Sequence, residues 1–372
     1  MNDLYKYRLY LTAFVLTFVS FSPLIEVEVK FFIYAIFLAL NLTLRPKKGA
    51  SVLPVLVFIG ILLIGFVRDI WLSGSSSQTS FVGLYFLTCA LFALTSYMAF
   101  TRKELVRAVE RILFLGAILS LVGVIIYLLA PNLIYLFPDY INRGFNHKTI
   151  GITNFLLIDA GPVKRNTGFA SEPGMWQFLM NVGLLFHFFL LKYRYSFFKV
   201  CVYCLALVST VSTAGVLTFA LTLLVAFHFF NKRHKLFFVV SILLAIPLLL
   251  AVISYHLQYK LNPDVEGFRA RLEPAVNIIS EHVSILGRGN VFYDANVDRY
   301  DIGSFDSYTQ LTIRYGLLGL FAFVACIVFG RIRHSWIRIP IVITAFSQAI
   351  WFYPITFFIL MISMGAKDYD ER

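Results

Sequence analysis

A short stretch, residues 165–177 with the sequence RNTGFASEPGMWQ, combines a cation, a carboxylate, two glycines and a proline at the entry to a strongly apolar run. Pro173 suits the first position of a helix, because its missing N–H would have no partner there. Glu172 then lies at the helix N-terminus, where a negative charge is stabilised. Glutamate is not among the preferred N-cap residues, and a capping role for Glu172 would not account for Arg165 and Gly168. We therefore predict that this stretch serves a site.

Arginines recur beside glycines and polar residues in a second region of the chain. Its segments are 268–274 (FRARLEP), 286–290 (LGRGN), 306–310 (DSYTQ) and 314–319 (RYGLLG). The glycines on either side of Arg288 suit a tight turn that lets the backbone and the guanidinium approach a ligand. A guanidinium fork matches phosphate geometry and stays charged, so we predict that five arginines converge on an anionic substrate, in particular a pyrophosphate. They are Arg165, Arg269, Arg271, Arg288 and Arg314.

Each arginine taken alone has a simpler interpretation, which is a salt bridge to an acidic residue of the same region. Asp294, Asp298 and Asp301 are the candidate partners. For the five arginines together, a shared anion site is the better interpretation.

The composition places these residues in a membrane protein. Of 372 residues, 59% are hydrophobic and 14% are charged, and the mean hydropathy is +0.79. Soluble proteins carry about 25% charged residues, so a soluble fold could not cover its surface with these. Cys201 and Cys204 form a C-x-x-C one turn apart in an apolar run, and we interpret them as small buried hydrophobes. No ligand cluster has metal-binding spacing, so neither a metal nor another cofactor is expected.

We predict an all-α fold in which residues 1–372 form a single transmembrane domain. A bilayer core of about 30 Å needs about 20 apolar residues per helix. The first span is expected to be retained, because no small-x-small cleavage site follows it. A tight turn is predicted at residues 209–215 (STVSTAG), between two short spans. The eleven candidate spans are 9–25, 31–44, 52–72, 81–100, 112–130, 174–191, 197–211, 213–230, 236–256, 308–330 and 337–363.

The distribution of charge orients these spans. With the N-terminus in the cytoplasm, the inner segments hold 18 of the 32 basic residues and only 3 of the 20 acidic residues. This excess follows the positive-inside rule, so the net charge of +12 reflects topology and not nucleic-acid binding. The C-terminus is then periplasmic. Residues 131–172 and 257–307 form the two long outer loops, and function is expected on that face.

The motifs together resemble those of the O-antigen polymerase (Wzy) family. They are R-x-x-G-F-x-x-E-P before a span, S-T-A-G between two short spans, an arginine-containing start to a long outer loop, L-G-x-G, a polar cluster and Y-G-L-L-G. The resemblance covers about residues 160–320 by motif and the whole chain by topology. Related O-antigen ligases share much of the pattern.

The resemblance implies an inverting, metal-independent glycosyltransferase in the bacterial inner membrane. It implies that the enzyme joins oligosaccharide repeat units carried on undecaprenyl pyrophosphate, and that the arginines bind the pyrophosphate as it leaves. The acceptor hydroxyl needs a base, for which Glu172 is the first candidate and Asp306 the second. Gly168 and Tyr308 are assigned to substrate contacts. A chain-length regulator protein is the expected protein partner, besides membrane lipid.

One departure from the family pattern concerns histidine. Many relatives, the ligases especially, place a histidine shortly before the Y-G-x-x-G segment, where this chain has none. The role then falls to Asp306 or to a residue elsewhere, and the ligase becomes the second interpretation. A flippase or transporter of lipid-linked sugars is the third interpretation. The charged residues argue against it, because they lie in outer loops and not at mid-membrane. Trp176 is expected to be an interfacial anchor.

Overall fold

The computed structural model is mostly helical, and its elements follow the apolar runs of the sequence. It describes residues 3–44, 53–73, 77–142, 145–150, 153–157, 165–190, 196–212, 214–215, 217–222, 254, 268–299, 306–329 and 337–364. The candidate span at 236–256 and most of that at 213–230 lie outside these residues.

Helices come in three groups along the chain. The first group is α1 (Asp3–Phe14, continued by a π-turn at Val15–Val19), α2 (Val27–Leu42), α3 (Leu53–Ser73), α4 (Ser77–Ala99) and α5 (Arg102–Leu129). The middle group is α6 (Pro173–Leu185, continued by a π-turn at Phe186–Leu190) and α7 (Phe197–Ser209). The last group is α8 (Phe268–His282), α9 (Gly289–Arg299), α10 (Ser307–Val328), α11 (Ile339–Ala345) and α12 (Pro354–Met364).

Among the described residues, four helices are long and apolar enough to cross a membrane. They are Leu53–Trp71, Phe81–Ala99, Arg102–Leu129 and Ser307–Val328. The membrane class is therefore supported, while the count of eleven spans stays a prediction. The continuous span expected at 337–363 was wrong, because residues 346–353 interrupt the helix between α11 and α12.

A small antiparallel sheet, which the all-α prediction lacked, occupies the region expected to be the first long loop. After a short 3₁₀ helix (Pro131–Leu136), β1 (Asp139–Asn142), β2 (Phe145–Ile150), β3 (Thr153–Leu157) and β4 (Arg165–Asn166) pair in sequence order. The last pairing sets Leu157 opposite Arg165. This meander therefore fixes the backbone of the predicted site where it enters α6.

The chain divides into two compact units, and the single-domain interpretation stays a prediction. The first unit comprises Met1–Leu16, Glu26–Leu105 and Arg269–Arg372. Within it, α3 packs against α4, α9 and α10, and α4 packs against α2 and α12. Aromatic rings fill this core, with Phe58 5.8 Å from Phe323 and Phe86 4.8 Å from Trp351 between ring centroids.

The second unit comprises Thr17–Ile25 and Val106–Phe268. Its helices α5 and α7 are joined through Glu110, a buried carboxylate on α5. Lys199 on α7 donates to both of its oxygens, at 2.8 and 3.0 Å, and the Tyr203 hydroxyl donates to its backbone carbonyl at 3.1 Å. A buried carboxylate is stable only with such partners, so this pairing fixes α7 against α5.

Helix α10 breaks at Gly316, which has φ 70° and ψ −166°. The segment that precedes α9 crosses the break. Leu317 N–H donates to Ser284 O at 3.0 Å and Leu318 N–H to Ile285 O at 3.1 Å, instead of to carbonyls one turn back. A Cβ on Gly316 would overlap Gly287 N and Ile285 O, so the two backbone segments are in direct contact at this crossing.

We predict that Gly316→Ala destabilises the protein by at least about 1–3 kcal/mol, because only glycine adopts this backbone conformation readily. The new methyl group would also separate the crossing chains. Thermal unfolding of the purified protein in detergent measures the loss.

Gly60→Ala in α3 is the matched control, since a Cβ there meets nothing within 4 Å. Alanine is favoured over glycine inside a helix by about 1 kcal/mol, so this variant should be unchanged or slightly stabilised. Equal melting temperatures for wild type and Gly316→Ala would refute the close crossing.

Candidate functional site

Arg165, the first residue of β4, reaches the turn that follows α7. Its Nε donates to Thr210 O at 3.1 Å and its Nη2 to Val211 O at 3.3 Å. Carbonyls at a helix C-terminus lack partners within the helix, and a cation there is favourable. Val211 has a positive φ of 49°, which marks a sharp turn. The structure thus shows a turn at residues 210–211 of the predicted segment, whose residue 213 lies outside the described structure, and half-buried Arg165 lies against it.

Asn166 holds the same segment to two other helices. Its side-chain amide donates to Ser120 Oγ at 3.1 Å and to Ser209 Oγ at 2.8 Å, and its Oδ1 accepts from Gly168 N–H at 2.9 Å. The residue is fully buried. Because a buried amide without partners is costly, these three hydrogen bonds together specify the loop conformation.

Gly168 is required by its contact with Trp176. It has φ 54°, and a Cβ on it would overlap the indole ring. The ring lies edge-on to Phe169, with centroids 4.7 Å apart, and the tryptophan is 0% exposed. The expectation of an interfacial anchor was wrong, because Trp176 is the packing core of the loop.

Glu172 is the N-cap residue of α6, as its position before Pro173 predicted. Its extended backbone starts the helix, and its carbonyl accepts from Met175 and Trp176 N–H at 3.1 Å each. The side chain forms no cap and is half-buried. Among the described residues, no ion pair or side-chain hydrogen bond involves its carboxylate. The backbone at Glu172 is therefore fixed by the helix start, and a carboxylate at such a position is a candidate base.

The first unit holds the second set of predicted residues around Arg314 of α10. The guanidinium is 6% exposed and lies 3.7 Å from the Tyr293 ring centroid and 5.3 Å from that of Phe86. Its Nη1 donates to Asn290 Oδ1, and its Nε has no hydrogen-bond partner among the described residues. Stacked aromatic rings thus orient a cation that retains unused donor capacity.

Asp294 shows that the salt-bridge interpretation holds in part for Arg314. Its carboxylate is 3.6 Å from Arg314 Nη2, but its side chain is 54% exposed. Burial raises the pKa of Asp294, and the Arg314 guanidinium offsets only part of that rise. A long, half-exposed ion pair of this kind contributes little to stability.

Arg288 lies in the predicted tight turn, between Gly287 (φ 74°) and Gly289 (φ 88°). Its N–H donates to Ile313 O at 2.8 Å, while its side chain is exposed, with the guanidinium 5.3 Å from the Phe292 ring. The backbone is therefore fixed and the guanidinium remains available. This confirms that both glycines adopt a backbone conformation that favours glycine, while the tight turn and the ligand stay predictions.

Asp306 is the N-cap of α10. Its carboxylate accepts from Tyr308 N–H at 2.9 Å, Thr309 N–H at 3.1 Å and the Thr309 hydroxyl at 2.6 Å. Tyr308, predicted to contact substrate, donates its hydroxyl to Val342 O at 3.2 Å and packs 4.5 Å from Phe346. Both residues thus have structural roles here, which favours Glu172 as the base.

The arginines lie in separate parts of the fold. Arg165 belongs to the second unit, and the other four belong to the first. The side chains of Arg269 and Arg271, in the first turn of α8, lie outside the described structure. Convergence of all five on one substrate therefore stays a prediction.

Arg68 and Asp69, near the end of α3, are polar site residues that sequence reasoning missed. They contact both Arg314 and the turn around Arg288. An adjacent arginine and aspartate inside an otherwise apolar run was the available signal, because ionisable residues in membrane helices are expensive unless they serve a site.

The described residues contain no group of three or more His, Cys, Asp or Glu side chains that could hold a metal ion. Comparison with known proteins gives no match, since no family model, curated protein or solved structure is similar to this chain.

We predict that Trp176→Ala lowers the free energy of unfolding by about 3–5 kcal/mol, the usual loss for a buried tryptophan. Trp176→Phe should cost far less, because the indole Nε1 has no hydrogen-bond partner among the described residues and the ring contacts persist. Chemical unfolding in detergent gives the values. The control is Trp71→Ala, since Trp71 is 82% exposed. If Trp176 were an interfacial anchor, the two alanine variants would instead lose similar amounts of unfolding free energy.

Proposed function

We propose that this protein is a membrane-embedded, inverting glycosyltransferase whose donor is a sugar linked to a lipid pyrophosphate. The observation that carries the proposal is the segment from Arg165 to Glu172. It presents a carboxylate without a hydrogen-bond partner among the described residues, at the start of a buried helix and in a loop held by Asn166 and Trp176. A carboxylate within reach of a sugar hydroxyl can remove its proton.

The reaction is a single displacement at the anomeric carbon. The acceptor hydroxyl oxygen forms a bond to that carbon, and its proton passes to Glu172. The bond from the carbon to the pyrophosphate oxygen breaks on the opposite face, so the configuration inverts. The electron pair leaves with the lipid pyrophosphate, where arginine guanidinium groups stabilise the added charge. With the donor and the acceptor as its two substrates, this step balances without a metal or a further reactant.

Arg288 is the leading candidate for the pyrophosphate contact. Its guanidinium is exposed, whereas its backbone is fixed at 2.8 Å from Ile313 O. Arg314 is a second candidate after exchange of Asp294 for a phosphate oxygen. Arg165 contacts the turn after α7, so it supports the loop that carries Glu172 whether or not it also meets phosphate.

Within this class, the particular activity we propose is that of an O-antigen polymerase. The supporting observations are the order of the sequence motifs and the charge asymmetry of the predicted loops. The enzyme would act on the periplasmic face of the bacterial inner membrane, with undecaprenyl-pyrophosphate-linked oligosaccharides as both substrates. A chain-length regulator is the proposed partner.

Deletion of the gene tests the proposal. Cells without a polymerase should make lipopolysaccharide capped with a single repeat unit, resolved on a gel. Polymer retained on the carrier and absent from the core would identify a ligase instead. Single repeats trapped on the inner leaflet would identify a flippase. Long chains still attached to the core would refute the polymerase proposal.

We predict that Glu172→Gln abolishes chain extension when it replaces wild type in the deletion strain. Loss of a general base lowers the rate by about 10²–10⁴-fold. Asp306→Asn should extend chains nearly normally, because asparagine caps a helix as well as aspartate does. Glu281→Gln, at an exposed glutamate of α8, is the control for removal of one charge. The opposite order of severity would move the base to Asp306.

A further inference from the structure

The Arg68–Asp69 pair at the end of α3 holds the turn around Arg288 in place. Both charges lie in a helix whose other residues are almost all apolar. Charged groups in such a helix are expensive unless partners satisfy them. Arg68 and Asp69 satisfy each other in part, with Nη2 2.8 Å from Oδ1. Their remaining contacts go to the segment 286–290 and to α10.

Asp69 occupies the N-terminus of α9. It is 4% exposed, and its Oδ2 accepts from the Asn290 side-chain amide at 2.7 Å and from Asn290 N–H at 3.3 Å. A Cβ on Gly289 would lie 2.5 Å from Asp69 Oδ1, so only glycine admits the carboxylate. Asp69 thus supplies from another helix the anion that a helix N-terminus favours.

The same carboxylate sets the direction of a second arginine. Because Asn290 Nδ2 faces Asp69, its Oδ1 faces the other way, where it accepts from Arg314 Nη1. The amide therefore has one orientation, fixed by partners at both ends. Asp69, Asn290 and Arg314 form a continuous chain of hydrogen bonds.

Arg68 fixes the other side of the turn. Its guanidinium donates to Leu286 O, to Gly287 O at 3.1 Å and to Arg314 O at 2.8 Å. Because α10 breaks at Gly316, the Arg314 carbonyl has no N–H donor within the helix. The Arg68 guanidinium donates to this carbonyl instead. One guanidinium thereby joins α10 to the residues immediately before Arg288.

We propose that Arg68 and Asp69 are positioning residues that hold Arg288 and Arg314 for binding a lipid-linked pyrophosphate. The inference rests on the proposed function, since it takes these two arginines as phosphate ligands. Asp69 and Arg68 fix the residues on either side of Arg288, and Asp69 orients Arg314 through Asn290. Neither positioning residue touches the substrate.

The test is a titration of the purified full-length protein in detergent with undecaprenyl pyrophosphate, which gives a Kd for each variant. Arg288→Ala should weaken binding strongly, and Arg299→Ala, at the exposed far end of α9, should leave it unchanged. Asp69→Asn should raise the Kd by roughly tenfold, the scale expected for loss of charge-assisted hydrogen bonds.

A paired exchange separates positioning from general stability. Asn290→Asp alone sets two carboxylates against each other and should also raise the Kd. The double variant Asp69→Asn with Asn290→Asp lets the new amide donate to the new carboxylate, which still accepts from Arg314, while the backbone N–H of residue 290 loses its acceptor. Coupled neighbours are not additive, so binding should recover in part, to a Kd below that of either single variant.

A purely structural role would lower the amount of folded protein while leaving the Kd of the folded fraction unchanged. Size-exclusion chromatography isolates that fraction before titration. Asp139→Asn, which removes the ion pair with Lys148 in β2, is the control for loss of an ion pair elsewhere. An unchanged Kd for Asp69→Asn with intact wild-type binding would overturn the positioning role alone. Absence of wild-type binding would overturn the pyrophosphate site and the inference with it.

Discussion

Backbone groups in an apolar interior have no water to bind, so a helix can break there only where other groups replace the missing hydrogen bonds. At the break of α10 near Gly316, four backbone groups have such replacement partners. Leu317 and Leu318 N–H donate to residues 284 and 285, Ile313 O accepts from Arg288 N–H, and Arg314 O accepts from Arg68. The crossing segment is thereby fixed to the helix by its own backbone.

The same constraint gives the charged residues of the first unit their positions. Arg68 is held where a free carbonyl needs a donor, and Asp69 where a helix N-terminus needs an anion. The segment between them carries Arg288 with its side chain outward. A single interruption of the helix thus places an exposed cation beside a backbone segment that is fixed on both sides.

The second unit uses polar side chains for the same purpose. Asn166 and Arg165 satisfy hydroxyl and carbonyl groups at the end of α7, and Trp176 fills the space that Gly168 leaves open. The loop before α6 is therefore tightly packed. Glu172 gains its fixed position from this packing, while its carboxylate keeps its oxygens uncommitted among the described residues.

Sequence alone determined the membrane class, the apolar helices α3, α4, α5 and α10, the start of α6 at Pro173 and the special backbone of the two glycines beside Arg288. These follow from local properties, since apolar length and the φ preferences of proline and glycine act within a few residues. Tertiary structure alone decided that Trp176 is core and that Asp69 reaches Asn290, 221 positions away in sequence. It also divided the span expected at 337–363 and paired the strands of 131–172. Those outcomes depend on which distant groups meet, because a buried polar group takes whichever partner the packed chain brings to it.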